Sequence, residues 1–412
     1  MKAAARSDMR AATSLLTRAV DLFPSDDARR LTLLPFLGRA LHEAGQWDRA
    51  QAILAEAVEL ARAAGDRRVA ADGAVTLIHL RLFTDKTTSH EQVRRELADP
   101  ARVFEELGDE AGLARALGLA GQLRFWAGEA ASAIEDLERA AQHAHNAGDR
   151  LQEIQSLGYV LVASVHGPTP VEPALRRAEQ LRDRVEGARQ LQVTILRCEA
   201  RLEAMRGRLD VARRLIAEAA SLTDELGLEV SAAAVRSVAG EVELAAGRPA
   251  VAERSLRRAV EALERMGDQG HFVSVAPFLV DALFAQGRGE DAAPLIDRVA
   301  EWAMADDIDP QIGWRRLKAK LLAQRGELDG AERLAREATA LAGRTDFVAV
   351  HAHALEDLAE VLRLAGRPQE AAAEIEHAIR LYTKKGDVSS AAGAQTRLEN
   401  LGQPASVPLE RS

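Results

Sequence analysis

One apolar triplet recurs along the chain: an alanine, an apolar residue four positions on, and another three beyond that. It stands at Ala50/Leu54/Ala57, Ala133/Leu137/Ala140, Ala212/Ile216/Ala219, Ala252/Leu256/Ala259, Ala292/Ile296/Val299, Ala331/Ala335/Ala338 and Ala371/Ile375/Ala378. Steps of i, i+4, i+7 put all three residues on one face of an α-helix. Five positions before each alanine is a glycine: Gly45, Gly128, Gly207, Gly247, Gly287, Gly326 and Gly366. From Gly207 onward the spacings are 40, 40, 39 and 40 residues, and Gly167 and Gly128 continue the series backwards. A second series, Gly108, Gly148, Gly187, Gly227 and Gly267, runs between them, with Gly65 and Gly386 as outliers. Two interleaved series at one period predict two helices per unit, each closed by a glycine able to take φ > 0 at a helix C-terminus.

Two further patterns refine the unit. Seven positions before the first-series glycines the residue is small: Gly38, Gly121, Ala200, Gly240, Ala319 and Ala359, with Val280 the exception. A small residue there marks the closest crossing of the first helix with the second. Several second-series glycines are followed at once by aspartate: Gly65-Asp66, Gly108-Asp109, Gly148-Asp149, Gly267-Asp268 and Gly386-Asp387. That pair predicts a glycine ending one helix and an Asp N-cap opening the next, with almost no loop.

The map that follows is all-α: one continuous right-handed α-solenoid over residues 1–401 with about nine helix pairs between about 29 and 385. A lone helix over 8–22 precedes them, ended by Pro24, and a cap helix over 387–401 follows. Residues 402–412, rich in polar residues and proline, are expected to be disordered. Two pairs are irregular. The pair at 67–107 lacks its turn glycine and carries Pro100 inside its second helix. The pair at 150–186 carries an inserted turn, His166-Gly167-Pro168-Thr169-Pro170, that moves the alanine to Ala174. A chain that opens on a second helix reads either as severed from something upstream or as started by a capping helix. The repeat pattern leaves both open.

Composition narrows the function classes. Apolar residues make up 47% of the chain but aromatics only 4%, so the helices pack through small side chains. The net charge of −9 is spread without blocks, which argues against binding nucleic acid through its phosphates. Cys198 is the lone cysteine and reads as a buried helical thiol; no internal disulfide can form. No apolar run reaches the roughly 20 residues of a membrane span, and the N-terminus lacks the apolar region of a secretory signal, so the expected compartment is cytoplasmic. No phosphate-binding glycine loop, His-Glu-x-x-His motif or nucleophile elbow is present. His143/His145 and His351/His353 are two apart and so point to different helix faces. The paired carboxylates Asp306/Asp307 and Glu105/Glu106 fit solvated helix ends. The sequence therefore predicts no enzyme, cofactor or metal site.

The small residue of the first helix, the turn glycine and the Ala-x3-apolar-x2-Ala second helix resemble the tetratricopeptide repeat (TPR), with a period near 40 in place of the usual 34. The resemblance covers nearly the whole chain. It implies a concave groove lined by the first helices, where a protein or peptide partner binds. Carried onto this sequence, the groove positions are Arg39 and His42; Arg115, Gln122 and Phe125; Arg197 and Arg201; Glu241, Asp281 and Phe284; and Arg316, Lys320, Glu356, Glu360 and Arg363. Arg115, Arg197 and Arg201 make its middle basic, suited to clamping an acidic peptide or a carboxylate terminus. The stretch RAVDLFPSDDARRLTLLPFLGRALHEAGQWDRAQAILAEAVELARAAGD is similar to the TPR region behind the ATPase of large bacterial regulators, the nucleotide cyclase–ATPase–TPR proteins and the LuxR-type activators. The segment HALEDLAEVLRLAGRPQEAAAEIEHAIRLYTKKGDVSSAAGAQTRL resembles the cyclase type in particular. Eleven residues after the cap helix are too few for the helix-turn-helix of the LuxR type. The resemblance implies a regulatory scaffold that passes a binding state to an ATPase or cyclase domain, in cis or in trans, or a sensor of a small ligand or signalling peptide. It implies neither a nucleic-acid nor a membrane partner.

Overall fold

The computed structural model describes residues 9–24, 27–43, 46–84, 89–184 and 189–401. Among them lie twenty-one α-helices and no strand. The first nine are α1 (Met9–Asp21), α2 (Ala28–Glu43), α3 (Trp47–Ala64), α4 (Arg67–Thr84), α5 (His90–Glu96), α6 (Ala98–Leu107), α7 (Glu110–Trp126), α8 (Ala130–Asn146) and α9 (Arg150–His166). Next come α10 (Val171–Arg184), α11 (Arg189–Met205), α12 (Leu209–Leu226), α13 (Glu229–Ala245), α14 (Pro249–Met266) and α15 (Gln269–Phe284). The last are α16 (Gly289–Trp302), α17 (Ile308–Gln324), α18 (Leu328–Ala342), α19 (Val348–Leu364), α20 (Pro368–Lys385) and α21 (Val388–Asn400). The architecture is an all-α solenoid of helix pairs, with α1 before the first pair and α21 after the last. The chain forms two compact units: unit 1, Met1–Arg124 with Ser132–Tyr159, and unit 2, Phe125–Ala131 with Val160–Ser412.

The predicted triplets are the core. The alanines and apolar residues of α3, α14, α16, α18 and α20 are fully or almost fully buried, from Ala50/Leu54/Ala57 to Ala371/Ile375/Ala378. Opposite them the small residues admit the partner helix. A Cβ built on Gly240 would lie 2.4 Å from Leu256 Cγ, and one on Gly38 2.4 Å from Leu54 Cγ. In these crossings the leucine of the second helix fills the place where the first helix has no side chain. All five predicted Asp N-caps form: a backbone N–H donates to each carboxylate, from Val69 to Asp66, Gly112 to Asp109, Gln152 to Asp149, His271 to Asp268 and Ser390 to Asp387. Cys198 is buried as expected.

Where the repeat breaks, the structure departs from the sequence reading. The second helix of the pair at 67–107 splits at Leu97, which closes α5 and opens α6. Pro100 thus falls in the first turn of α6, where a missing N–H leaves no hydrogen bond unmade. Gly167 does not take a positive φ, although its series predicts one. It is small for another reason: a Cβ there would lie 2.5 Å from the Cβ of Ala130. Gly45, Gly187 and the tail over 402–412 lie outside the described residues.

In unit 2 the successive first helices α11, α13, α15, α17 and α19 pack on one another, while the second helices α12, α14, α16, α18 and α20 do not come comparably close to each other. The first helices therefore line the inner side of the curve. The crossing geometry gives a direct test. Gly240→Ala, which helix propensity alone favours by about 1 kcal/mol, is expected to destabilise by about 1–2 kcal/mol because Leu256 leaves no room. A rise in the thermal midpoint would show that the helices do not approach this closely.

Candidate functional site

The inner faces carry a ladder of charge clusters, each joining neighbouring first helices. In unit 1, Asp72 of α4 accepts from Arg39 of α2 at 2.7 Å and pairs with Arg115 of α7 at 2.6 Å. Burial works against the Asp72 carboxylate, but the two guanidiniums outweigh it and hold its pKa below the usual range. Gln122 is half-buried on α7, and the side chain of His42 lies outside the described residues.

In unit 2 the ladder continues at the nominated positions. Arg201 of α11 donates to Glu241 of α13 and, at 2.8 Å, to Nε2 of His166. His166 is kept neutral chiefly by burial, then by Arg201, Lys385 and Arg197, so it can accept that bond. Arg197 is half-buried one turn before Arg201, and its charge faces the same imidazole. The next rung is a quartet. Arg316 donates to Asp281 at 2.6 Å and to Asp357 at 2.8 Å, and Lys320 reaches the same two carboxylates at 3.2 and 3.1 Å. Lys320 also lies over the Phe284 ring, 5.0 Å from its centroid. Burial disfavours every charge in this quartet. Even so, Asp281 is held well below, and Arg316 well above, its ordinary pKa by the pairing.

The remaining nominated residues turn elsewhere. Phe125 packs against Phe347 at 5.2 Å and edge-on to His166 at 5.7 Å. Glu356 accepts from the Tyr382 hydroxyl and from Arg397, so it binds α19 to the last two helices. Glu360 and Arg363 form an exposed pair within α19. The arginines that looked available to clamp an acidic ligand are thus committed: Arg115 and Arg201 are each held by a carboxylate of a neighbouring first helix.

The sequence reading missed the unbalanced charge. Asp306/Asp307 does not behave as a solvated helix end. Asp307 stands at the N-terminus of α17 without accepting a cap bond on its side chain, and burial, with Asp309 and Asp306 beside it, pushes its pKa up to about 8. Asp309 is also raised by burial; Arg316, Arg201 and His353 pull it back and Glu241 adds to the rise. Arg201 lies three pairs away on α11, and its charge still acts on Asp309. A DDxD run at a helix start carries no sequence signal of burial, because the burial comes from the opposite wall.

Two expectations follow. The folded chain holds a proton on Asp307 up to about pH 8, the unfolded chain only to near the ordinary value of 3.8. The stabilisation this gives is complete at low pH and is lost as pH rises between those values. Asp307→Asn should therefore raise the thermal midpoint at pH 8 more than at pH 4.5; an equal or opposite shift would place Asp307 in water. Arg316→Met strands two buried carboxylates on one lysine, and should cost about 3–5 kcal/mol in chemical unfolding. A cost under about 1 kcal/mol would make the quartet a surface feature.

No family model matches this sequence. No curated protein matches it either. Among solved structures, a Rap protein in complex with competence and sporulation factor superposes with a TM-score of 0.63 at 16% identity, over 92% of this chain and 100% of that one. Apo RapI matches with a TM-score of 0.47 at 14% identity over 66% of this chain and 98% of its own. Yeast Tom70 matches with 0.44 at 14% over 98% of this chain and 88% of its own. At such identity the likeness concerns the fold: this chain shares the TPR-like solenoid of the Rap protein.

Proposed function

We propose that the chain is a non-catalytic binding module whose working surface is the inner face of unit 2, and that its ligand is an extended peptide or protein segment carrying a cationic group. The observation that carries this reading is the pair Asp307 and Asp309. Arg39, Arg115, Arg201, Glu241, Asp281, Arg316 and Lys320 each have an opposite charge in contact, whereas these two half-buried carboxylates have raised pKa values, that of Asp307 partly through the charge of Asp309. Groups perturbed by burial and a like charge are candidates for a functional surface. An ammonium or guanidinium entering there would relieve the repulsion and restore the carboxylates to their ionised form. The Rap protein of similar fold is seen in complex with competence and sporulation factor, which supports a binding role for this fold.

This reading replaces the acidic-peptide clamp suggested by Arg115, Arg197 and Arg201. It keeps the regulatory role implied by the resemblance to TPR regions behind an ATPase. In that role the occupied inner face signals to an ATPase or nucleotide cyclase domain, in the same chain or another.

The test is selection from a library of unstructured peptides, followed by affinity measurement on purified variants. Selected binders should be enriched in Lys, Arg or a free amino terminus. Asp309→Asn should weaken them about ten- to hundredfold, the worth of one charge-assisted hydrogen bond, with no loss of thermal stability. Binders indifferent to Asp309→Asn and Asp307→Asn would remove the inner face as the site.

A further inference from the structure

Unit 2 closes on itself where α21 approaches α11 and at two hydrogen-bonded contacts between segments more than 200 residues apart. At the first, the α18–α19 loop meets the α7–α8 turn. The Asp346 carboxylate accepts from the N–H groups of Ala130 at 2.7 Å and Ala131 at 2.8 Å, serving as the N-cap that the sequence of α8 lacks. The Asp346 N–H in turn donates to the Gly128 carbonyl at 3.0 Å. A Cβ on Gly128 would lie 2.5 Å from Thr345 Cγ2, so the glycine permits the approach. At the second contact, the last residue of α20 enters the inserted turn after α9. Lys385 is fully buried, and its Nζ donates to three carbonyls: Ser164 at 2.9 Å, Gly167 at 2.7 Å and Thr169 at 2.6 Å.

Three properties separate these contacts from the rest of the unit. They are non-sequential, whereas the solenoid is otherwise built by neighbours stacking on neighbours. Their hydrogen bonds are joined by one small ring cluster, Phe125, His166 and Phe347, with centroids 5.2 to 6.0 Å apart, and by Val171 beside Gly386. And the lysine is captured against a desolvation cost: burial pulls its ammonium down to about 8, with Asp387 and Asp346 offsetting part of that. A large apolar seam would be permanent. A few charge-assisted hydrogen bonds, balanced against desolvation, make a reversible one.

We propose that Lys385 and Asp346 are the two pins of a latch, and that unit 2 switches between this closed form and an open form in which the α9–α10 turn and the α20–α21 end have parted. Release needs no helix to unfold. The accumulated pitch of the intervening pairs relaxes, as stacked repeats allow. The inserted turn at 166–170 is then a receptor for the lysine, which is why it interrupts the repeat: it turns three carbonyls toward one point. Closure is a property of the chain without ligand, so the latch stands or falls separately from the inner-face binding reading.

The experiment is a distance measurement by pulsed electron spin resonance. Spin labels go on Gln180→Cys of α10 and Ala392→Cys of α21, both at exposed positions, in the full chain with Cys198→Ala. The parent should give a short, narrow distribution. Lys385→Met, and Lys385→Met with Asp346→Ala, should give a longer and broader one while circular dichroism shows unchanged helicity. Lys385→Arg should fall between them, because a guanidinium keeps the charge but cannot point three donors at that cage. An unchanged distance in the double variant would overturn the latch. So would loss of helicity in Lys385→Met, since closure would then be part of the folding unit and not a switch.

Discussion

The closeness of approach between the two helices of a pair is the constraint on which the rest of this structure depends. With so few aromatic side chains, the chain cannot fill wide gaps between helices. It brings backbones together instead, alanine against glycine, with one leucine or isoleucine per pair as the knob. Leu54 over Gly38, Leu137 over Gly121 and Leu256 over Gly240 repeat that solution. Close pairing in turn fixes the angle between units, because the Gly-Asp junction leaves no slack between one second helix and the next first helix. Curvature then follows from side-chain size, and the first helices are drawn to the inside.

Once the first helices face one another, their polar positions must find partners across a narrow spacing. The ladder meets that need with alternating charge: Arg39, Asp72 and Arg115 in unit 1, then Arg201 with Glu241, and Arg316 and Lys320 between Asp281 and Asp357 in unit 2. A buried pair of this kind adds little net stability. It does set register, since a slip of one turn would put like charges together. The acidic start of α17 does not fit the scheme, and that mismatch makes it the place to look for a ligand.

Periodic features were legible in the sequence. The triplets, the glycine turns and the Gly-Asp junctions predict helix positions to within a residue or two at α1 and α21, and all five N-caps form. Resemblance to TPR proteins placed the nominated residues on the first helices. What it could not supply was their partners. Asp72 lies in the irregular pair, where the register is lost, and Asp357 is one residue out of step with the period. Asp307, Asp346 and Lys385 were invisible for a stronger reason. The partners of Asp346 and Lys385 come from elements three or more pairs away, a repeat pattern describes only nearest neighbours, and the burial of Asp307 is not written in its own neighbours. Pro100 and Gly167 were misjudged alike, from the position they hold in an average repeat and not from the local break.

Closure and the inner-face charges are parts of one balance. Asp309 feels Arg201 and Arg316 together, although Arg201 stands on α11 and Asp309 on α17. Parting the α9–α10 turn from the α20–α21 end would widen that interior, rehydrate Asp307 and Asp309, and let both ionise near their ordinary pKa. On the latch proposed above, the closed form would keep the carboxylates in want of a cation, and the open form would leave them satisfied by water. If a cationic segment binds between them, it must favour one form over the other, and the form it favours must bind it more tightly by the same factor. A surface that senses a ligand and a contact that sets the circumference are then coupled through solvation of two aspartates, with no need for a relay of side chains between them.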